Sequence, residues 1–169
     1  MYSVTKTIQF CYGHRLLNYE GKCRDLHGHN GKVEIELSSE ALDRRGMVRD
    51  FTEIKRAIQG WIDRNLDHKM ILCKDDPVLL LLQQQGEPVF AIEANPTAEN
   101  LAKLIFDEAQ RMGFPVTTVR LWETESSCAT YAAPRRAAAG RNPERGREAE
   151  SRDRPTRPRR RIRSISTAA

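Results

Sequence analysis

Apolar and polar residues alternate in several short segments near both ends of the chain. In residues 31–39, Val33, Ile35 and Leu37 fall on one face, and Lys32, Glu34 and Glu36 fall on the other. Residues 2–10 alternate more loosely, and residues 116–123 and 127–131 also have a strand-like pattern. Period-two alternation is typical of half-buried antiparallel strands. The pattern therefore predicts four such strands, with the apolar residues 88–93 forming one further short strand. Residues 11–30 are predicted to be an irregular, functional loop.

Two longer segments instead show helical spacing. Apolar residues recur three and four positions apart between Ile54 and Leu66, and again between Leu101 and Met112, which predicts two amphipathic helices. Thr97 is the expected N-cap of the second. A shorter helix is predicted at residues 77–85, because proline suits a first helical turn.

The order of these elements predicts an α+β fold. The predicted order is two strands, a helix, a short strand, a helix and two strands. This order suits a four-stranded antiparallel sheet with both long helices on one face. The other face of the sheet then needs cover, from another subunit or from a ligand.

Charge divides the chain into two parts. Residues 133–169 contain twelve Arg and four acidic residues, a net charge of +8, whereas residues 1–132 carry −3. Apolar periodicity also stops at residue 133, so we predict a folded domain over 1–132 and a disordered Arg-rich tail over 133–169. The tail can bind RNA through its Arg run at 157–163. It contains no aromatic residue for base stacking, so a dispensable tail is the favoured interpretation and RNA binding is the alternative.

Other features bear on the compartment. No stretch of eighteen apolar residues occurs, and the N-terminus has no apolar signal core. We therefore expect no membrane partner and a cytoplasmic protein. Four scattered cysteines without a C-x-x-C pair are then expected to be reduced thiols.

Three of the four histidines lie in the first thirty residues: His14, His27 and His29. In a strand, His27 and His29 point to the same face because Gly28 lies between them. Three neutral imidazoles with an open fourth position are typical of a catalytic zinc site. The alternative is a set of ordinary polar loop histidines. Other divalent ions also accept imidazole ligands.

Four further residues are candidates for chemistry. Cys23 can be an activated thiol, a fourth metal ligand that closes the site, or an inert buried thiol. Asp67 can tune His68 as a proton relay, or His68 can simply meet a helix dipole. Glu123 follows Val119 and Leu121 on an inward face, so its carboxylate must find a partner. That partner is either a ligand with adjacent N–H donors, such as a pterin or guanine edge, or an ordinary Lys or Arg.

Five motifs together resemble the 6-pyruvoyltetrahydropterin synthase / 6-carboxytetrahydropterin synthase family. They occur in order, with suitable gaps, over residues 1 to about 132. The motifs are Phe10-Cys11-Tyr12-Gly13-His14-Arg15-Leu16, Cys23-Arg24-Asp25-Leu26-His27-Gly28-His29-Asn30, Leu66-Asp67-His68, Asn95-Pro96-Thr97-Ala98-Glu99-Asn100-Leu101 and Glu123-Thr124.

The resemblance implies the tunnelling fold, in which three subunits join their sheets into one barrel and two trimers stack into a hexamer. It implies that His14, His27 and His29 bind Zn²⁺ and that Cys23 is the catalytic thiol. Asp67 and His68 match a proton-relay pair supplied across a subunit interface. Glu123 matches the carboxylate that anchors the pterin, and Thr97 lies in the matching substrate-pocket segment.

The spacing within the second motif separates the branches of the family. Three residues lie between Cys23 and His27, as in the carboxy branch, whereas five typically intervene in the pyruvoyl branch. A third branch has Glu in place of the Cys. The resemblance thus predicts a zinc-dependent lyase that converts 7,8-dihydroneopterin triphosphate to 6-carboxy-5,6,7,8-tetrahydropterin, acetaldehyde and triphosphate, in queuosine and other deazapurine biosynthesis.

Two alternatives differ from that prediction. One is a 6-pyruvoyltetrahydropterin synthase, and the other is a non-catalytic, zinc-stabilised binding module with an RNA-binding tail. The segment Cys11-Tyr12-Gly13 departs from the family, which more often has small residues such as Ser-Ala-Ala there. This departure can reshape the rim of the pocket or mark a subfamily.

Overall fold

A computed structural model describes residues 1–133. Six strands and four α-helical segments make up this part of the chain. The strands are β1 Tyr2–His14, β2 His27–Ser39, β3 Lys69–Cys73, β4 Val89–Ile92, β5 Val116–Thr124 and β6 Ser127–Ala132, and the helices are α1 Phe51–Ile54, α2 Gly60–Asn65, α3 Pro77–Gln84 and α4 Ala98–Arg111. The α+β class is therefore as predicted.

The sheet is larger than the predicted four-stranded antiparallel one, and it is mixed. Its strand order is β4-β3-β1-β2-β5-β6. The pairs β1–β2, β2–β5 and β5–β6 are antiparallel, whereas β3 pairs parallel to both β1 and β4. The prediction missed β3, because Met70-Ile71-Leu72 is a short apolar run without alternation. Such runs are characteristic of parallel strands that are buried on both faces.

Strands β1 and β2 are also longer than predicted, so the irregular loop is shorter. β1 continues to His14 and β2 begins at His27, whereas residues 11–30 were expected to be loop. The extension pairs His14 with His27 and Tyr12 with His29. This extension could not be predicted from apolar alternation, because histidines and glycines replace apolar residues at the last paired positions of the two strands.

One hydrophobic core lies between the sheet and the helices. Strand residues such as Ile35 and Leu121 pack in it together with helical residues such as Ile62 and Ile105, and all four are fully buried. The opposite face of the same strands carries charged pairs, including Glu36 with Arg120. Both long helical segments thus contribute to one core, and the second sheet face is polar in the single chain.

The first predicted helix is a continuous helical segment with an irregular middle. A π-helical stretch, Lys55–Gln59, joins α1 to α2. Asp67 and His68 follow its end, as predicted, and Trp61 is a core residue that packs edge-on against Phe90.

The caps of the other helices follow the local sequence. Asp76 caps α3, which begins with Pro77, and Thr97 caps α4 by accepting from the Asn100 N–H. Within residues 1–133, none of the helices combines the length and apolarity that a membrane crossing requires. The predicted tail lies outside the described residues except for Ala133.

Candidate metal and substrate site

The antiparallel pairing of β1 with β2 brings three histidines together. His14 faces His27, with ring centroids 4.4 Å apart, and His29 lies one rung further on. The ring centroid of His29 is 5.0 Å from that of His14 and 5.1 Å from that of His27. One ring nitrogen from each residue lies within 4.8 Å of those of the other two. This convergence suits a single metal ion bound by three imidazoles.

Two backbone carbonyls fix which nitrogen two of the three imidazoles present. His14 Nδ1 lies 2.7 Å from the Pro96 carbonyl, and His27 Nδ1 lies 2.8 Å from the Asp25 carbonyl. A carbonyl only accepts, so both Nδ1 atoms carry the hydrogen and both Nε2 atoms keep a free lone pair. His14 Nε2 is buried and has no hydrogen-bond partner within the described part of the chain. An orphaned acceptor of this kind, aimed into a cluster of imidazoles, fits a metal ligand.

Burial keeps the most deeply placed imidazole neutral. Desolvation lowers the pKa of His14, and the two neighbouring imidazoles lower it further, against opposing contributions from the Pro96 carbonyl and Glu123. The neutral form is the one that binds a metal. The environment of His14 therefore favours metal binding over protonation.

Glu123 lies beside the histidines at an irregularity of β5. The register between β5 and β6 shifts between Trp122 and Thr124. The Oε1 atom of Glu123 accepts a hydrogen bond from the Tyr12 hydroxyl at 3.0 Å and lies 3.8 Å from His14 Nε2. Within residues 1–133, its nearest partners are thus Tyr12 and His14 rather than Lys or Arg. Burial, and then the Glu123 carboxylate, raise the pKa of Tyr12 well above its ordinary value, so the hydroxyl remains a donor.

The Asp67–His68 pair follows the end of α2 and contacts the backbone of Cys11 in β1. Asp67 Oδ1 accepts from the Cys11 N–H at 2.8 Å, and the His68 N–H donates to the Cys11 carbonyl at 2.6 Å. These bonds hold His68 at a left-handed φ of 55°, which non-glycine residues adopt only infrequently. The Cys11 sulfur, an Asp67 oxygen and a His68 ring nitrogen lie within 4.8 Å of one another.

The carboxylate and the imidazole of this pair are also joined directly. His68 Nδ1 lies 2.7 Å from Asp67 Oδ2. Burial raises the pKa of Asp67, but the hydrogen bonds from Cys11 and His68 outweigh it and leave the pKa lowered. An ionised Asp67 therefore accepts the Nδ1 hydrogen of His68.

Cys23 and Thr97 lie in the segments that flank the three histidines. Cys23 is half-buried in a 3₁₀ turn, Lys22–Arg24, and its carbonyl accepts from the Leu16 N–H at 2.8 Å. It is not a member of the three-histidine cluster. Thr97 follows Pro96, whose carbonyl orients His14. All four cysteines lie among the described residues, and each has a free thiol.

Two further sets of hydrogen bonds hold the segments next to the three histidines, and the sequence patterns did not predict them. The Asn95 side chain bonds both the N–H and the carbonyl of Leu17, at 2.7 and 2.9 Å, and so ties the loop after β1 to the start of α4. Arg15 makes a two-pronged contact with the buried Asp76. The motifs of the resemblance include both Asn95 and Arg15, and Asn95 also belongs to the helix-start pattern before Thr97, but neither pattern predicted these contacts.

Two pockets border on His29. One has a volume of about 680 Å³ and is lined by Cys11, His27, His29 and His68, among others. The other, of about 730 Å³, is lined by His29, Lys32, Trp122 and Glu123, among others. Both volumes lie in the range of small-molecule sites. His29 therefore borders both a pocket lined by His68 and a pocket lined by Glu123.

Known proteins with similar sequences belong to one enzyme family. The family model of 6-pyruvoyl tetrahydropterin synthase matches residues 3–134. A 6-carboxy-5,6,7,8-tetrahydropterin synthase of Rickettsia bellii is 37% identical over 131 residues, which cover 73% of this chain and 95% of that protein. The Haemophilus influenzae protein of the same name is 30% identical over 139 residues, covering 78% and 99%.

Solved structures agree in fold. An uncharacterized protein from Wolinella succinogenes superposes with a TM-score of 0.66 at 28% identity, covering 79% of this chain and 98% of that one. The 6-pyruvoyl tetrahydropterin synthase of Caenorhabditis elegans has a TM-score of 0.60 at 23% identity, covering 79% and 96%, and shows likeness of fold alone. From the family match and from relatives at 30–37% identity, the chain belongs to the 6-pyruvoyl tetrahydropterin synthase family and is an enzyme of the lyase type.

Proposed function

We propose that this enzyme is a zinc-dependent 6-carboxy-5,6,7,8-tetrahydropterin synthase. Its substrate is 7,8-dihydroneopterin triphosphate, and its products are 6-carboxy-5,6,7,8-tetrahydropterin, acetaldehyde and triphosphate. The observation that carries the proposal is the convergence of three metal-competent imidazoles beside Glu123. It occurs in a chain whose relatives bear that name at 30–37% identity.

His14, His27 and His29 are the residues that hold the metal. Two of them present an Nε2 lone pair because a backbone carbonyl binds Nδ1, which is the outer-shell arrangement typical of metal-bound imidazoles. A bound Zn²⁺ supplies a Lewis acid that polarises the side-chain hydroxyls of the substrate. The proposal of zinc rests on the all-imidazole donor set, which suits this ion.

Glu123 is the residue that recognises the pterin ring. A carboxylate accepts two parallel N–H bonds, and the guanidine-like edge of a pterin offers donors in that geometry. The carboxylate borders a pocket large enough for a bicyclic ring, and that pocket also touches His29. The ring therefore binds at Glu123 with its side chain directed toward the histidines.

Cys23 and the Asp67–His68 pair move protons at the substrate side chain. We assign Cys23 as the thiol that exchanges protons at the side-chain carbons, since its place four residues before His27 matches the family motif. His68 is the partner acid and base: Asp67 holds its Nδ1 hydrogen, so exchange takes place at Nε2. Thr97 is assigned to the substrate pocket through its position next to Pro96.

The proposal includes assembly and compartment. The polar sheet face of one chain is covered when three subunits close their sheets into a barrel, and two trimers then form a hexamer, with each relay pair serving a neighbouring subunit. We place the reaction in the cytoplasm, where four free thiols remain reduced.

The competing enzymatic function is 6-pyruvoyltetrahydropterin synthesis, which the name of the matching family model favours. It uses the same site and differs in the fate of the side chain. The binding-module alternative is disfavoured by the presence of Cys23, the relay pair and Glu123 together, which metal binding alone does not require.

Two substitutions test the roles of metal and thiol. Cys23→Ala is expected to keep stoichiometric zinc and lose turnover, and His27→Ala is expected to lose the metal. Zinc content after dialysis and product formation are the measurements. Loss of zinc from Cys23→Ala would make the thiol a ligand, and tight zinc in His27→Ala would remove that residue from the ligand set.

A further inference from the structure

Tyr12 is the residue that connects the three-histidine cluster to Glu123. Its side chain is buried, with 3% of its surface exposed, and its hydroxyl donates to Glu123 Oε1 at 3.0 Å. Its ring lies edge-on to His14, with centroids 5.3 Å apart, and 5.8 Å from the ring of His29. One side chain thus contacts the acidic residue and two of the candidate ligands.

Phe10 and Gly31 are the neighbours that shape the space around the Tyr12 ring. Phe10 stacks on Tyr12 with centroids 5.2 Å apart and an interplanar angle of 24°. Gly31 pairs with Phe10 in the β1–β2 register, and a Cβ atom at position 31 would lie 3.0 Å from Tyr12 Cε1. The glycine therefore leaves the space that the tyrosine ring fills, and Phe10 limits its movement.

The carboxylate held by this hydrogen bond lies close to His14. Oε1 lies 3.8 Å from His14 Nε2, the nitrogen with the free lone pair. Two ligand atoms of one tetrahedral zinc ion lie about 3.4 Å apart, given metal–ligand distances near 2.1 Å. Glu123 is therefore about half an ångström from the separation of a fourth ligand, and carboxylate oxygen is a good ligand for zinc.

We propose that Tyr12 is a positioning residue that holds the Glu123 carboxylate off the metal and keeps it available to the substrate. Without the hydroxyl, Glu123 turns toward the metal, occupies the open position and closes the site. The inference rests on the zinc site proposed above. It assigns a role to the Cys11-Tyr12-Gly13 segment, where the chain departs from its family.

The test is the zinc affinity of Tyr12→Phe, measured in the full-length protein by competition with a chelator. The variant keeps the ring that packs on Phe10 and removes only the hydroxyl. We expect it to lose turnover and to bind Zn²⁺ more tightly than the unsubstituted protein, because Glu123 becomes a fourth ligand, by about tenfold, the scale on which outer-shell hydrogen bonds alter metal affinity. The double variant Tyr12→Phe/Glu123→Gln should lose the gain in affinity, because an amide is a poorer ligand than a carboxylate.

Tyr131→Phe is the matched control, since it removes a hydroxyl from a ring that packs against Phe106, away from the histidines. Equal or weaker zinc binding by a folded Tyr12→Phe would overturn the proposal, as would tighter binding that persists in the double variant. If the proposed zinc site itself were wrong, the result would be different, because the unsubstituted protein would then bind no Zn²⁺.

Discussion

At the scale of single residues, the role of Glu123 depends on its charge. We expect Glu123→Gln to raise KM for 7,8-dihydroneopterin triphosphate by about tenfold to a hundredfold, since a hydrogen bond to a charged group contributes about 1.5–3 kcal/mol. Zinc content should stay unchanged. Steady-state kinetics and metal analysis measure the two effects.

Glu125→Gln is the control for this prediction, because Glu125 lines the same pocket but follows the end of β5. If Glu123→Gln and Glu125→Gln had equal KM values, Glu123 would not be the ring anchor. If Glu123→Gln lost zinc, the carboxylate would belong to the metal site.

The candidate site residues were proposed from sequence because each has a distinctive neighbour. Three local patterns were used: His27-Gly28-His29, Asp67-His68, and Glu123 near the end of β5. The family resemblance assigned their roles. The contact of Tyr12 with Glu123 was not identifiable in this way, because the two residues lie 111 positions apart in sequence and the strand pairing that brings them together has no local signature.

At the scale of elements, the start of α4 carries both a cap and a histidine support. Thr97→Ala is expected to lower the free energy of unfolding by about 1 kcal/mol, since the Asn100 N–H loses its acceptor. Thr97→Ser keeps the hydroxyl and should retain most of that stability. Urea denaturation measures both variants, and an equal loss in the two would show that the cap is not the cause.

A buried ion pair joins the end of β1 to the start of α3. Asp76 is 2% exposed and accepts hydrogen bonds from Arg15 and from the Val78 N–H. These bonds, Arg15 first, hold the pKa of Asp76 below its ordinary value against the effect of burial. A lowered folded-state pKa stabilises the fold above the unfolded pKa near 4, and this contribution is lost as pH falls through the folded value.

Asp76→Asn should therefore lower stability by about 3 kcal/mol at neutral pH and by progressively less below about pH 4. Urea denaturation between pH 7 and pH 3 measures the difference, and Asp75→Asn, at the exposed neighbouring position, is the control. A difference that does not change with pH would mean that Asp76 is not ionised in the folded protein.

Sequence patterns predicted the elements well where one face is apolar and the other is polar. They located the helical stripes, the cap at Thr97 and most of the strands. They missed β3, which is buried without alternation, and the ends of β1 and β2, where Gly13 and Gly28 pair and imidazoles occupy the inward positions. Local periodicity reports burial against a core, whereas these paired positions carry the three-histidine cluster.

At the scale of the whole molecule, the resemblance predicts active sites that are shared between subunits. Cys23→Ala and His68→Ala should each be inactive. Mixed oligomers, prepared by unfolding and refolding the two variants together, should regain turnover because some sites combine an intact Cys23 with an intact His68 from a neighbour. Each variant refolded alone is the control. Absence of activity in mixed hexamers would mean that one chain supplies both residues.

The central claim is the reaction, and the product tests it most directly. The zinc-loaded protein is incubated with 7,8-dihydroneopterin triphosphate, and the products are analysed by mass spectrometry. The account predicts 6-carboxy-5,6,7,8-tetrahydropterin together with acetaldehyde. A 6-pyruvoyl product would contradict the assignment to the carboxy branch while leaving the site intact, and the absence of turnover would contradict the proposed reaction itself.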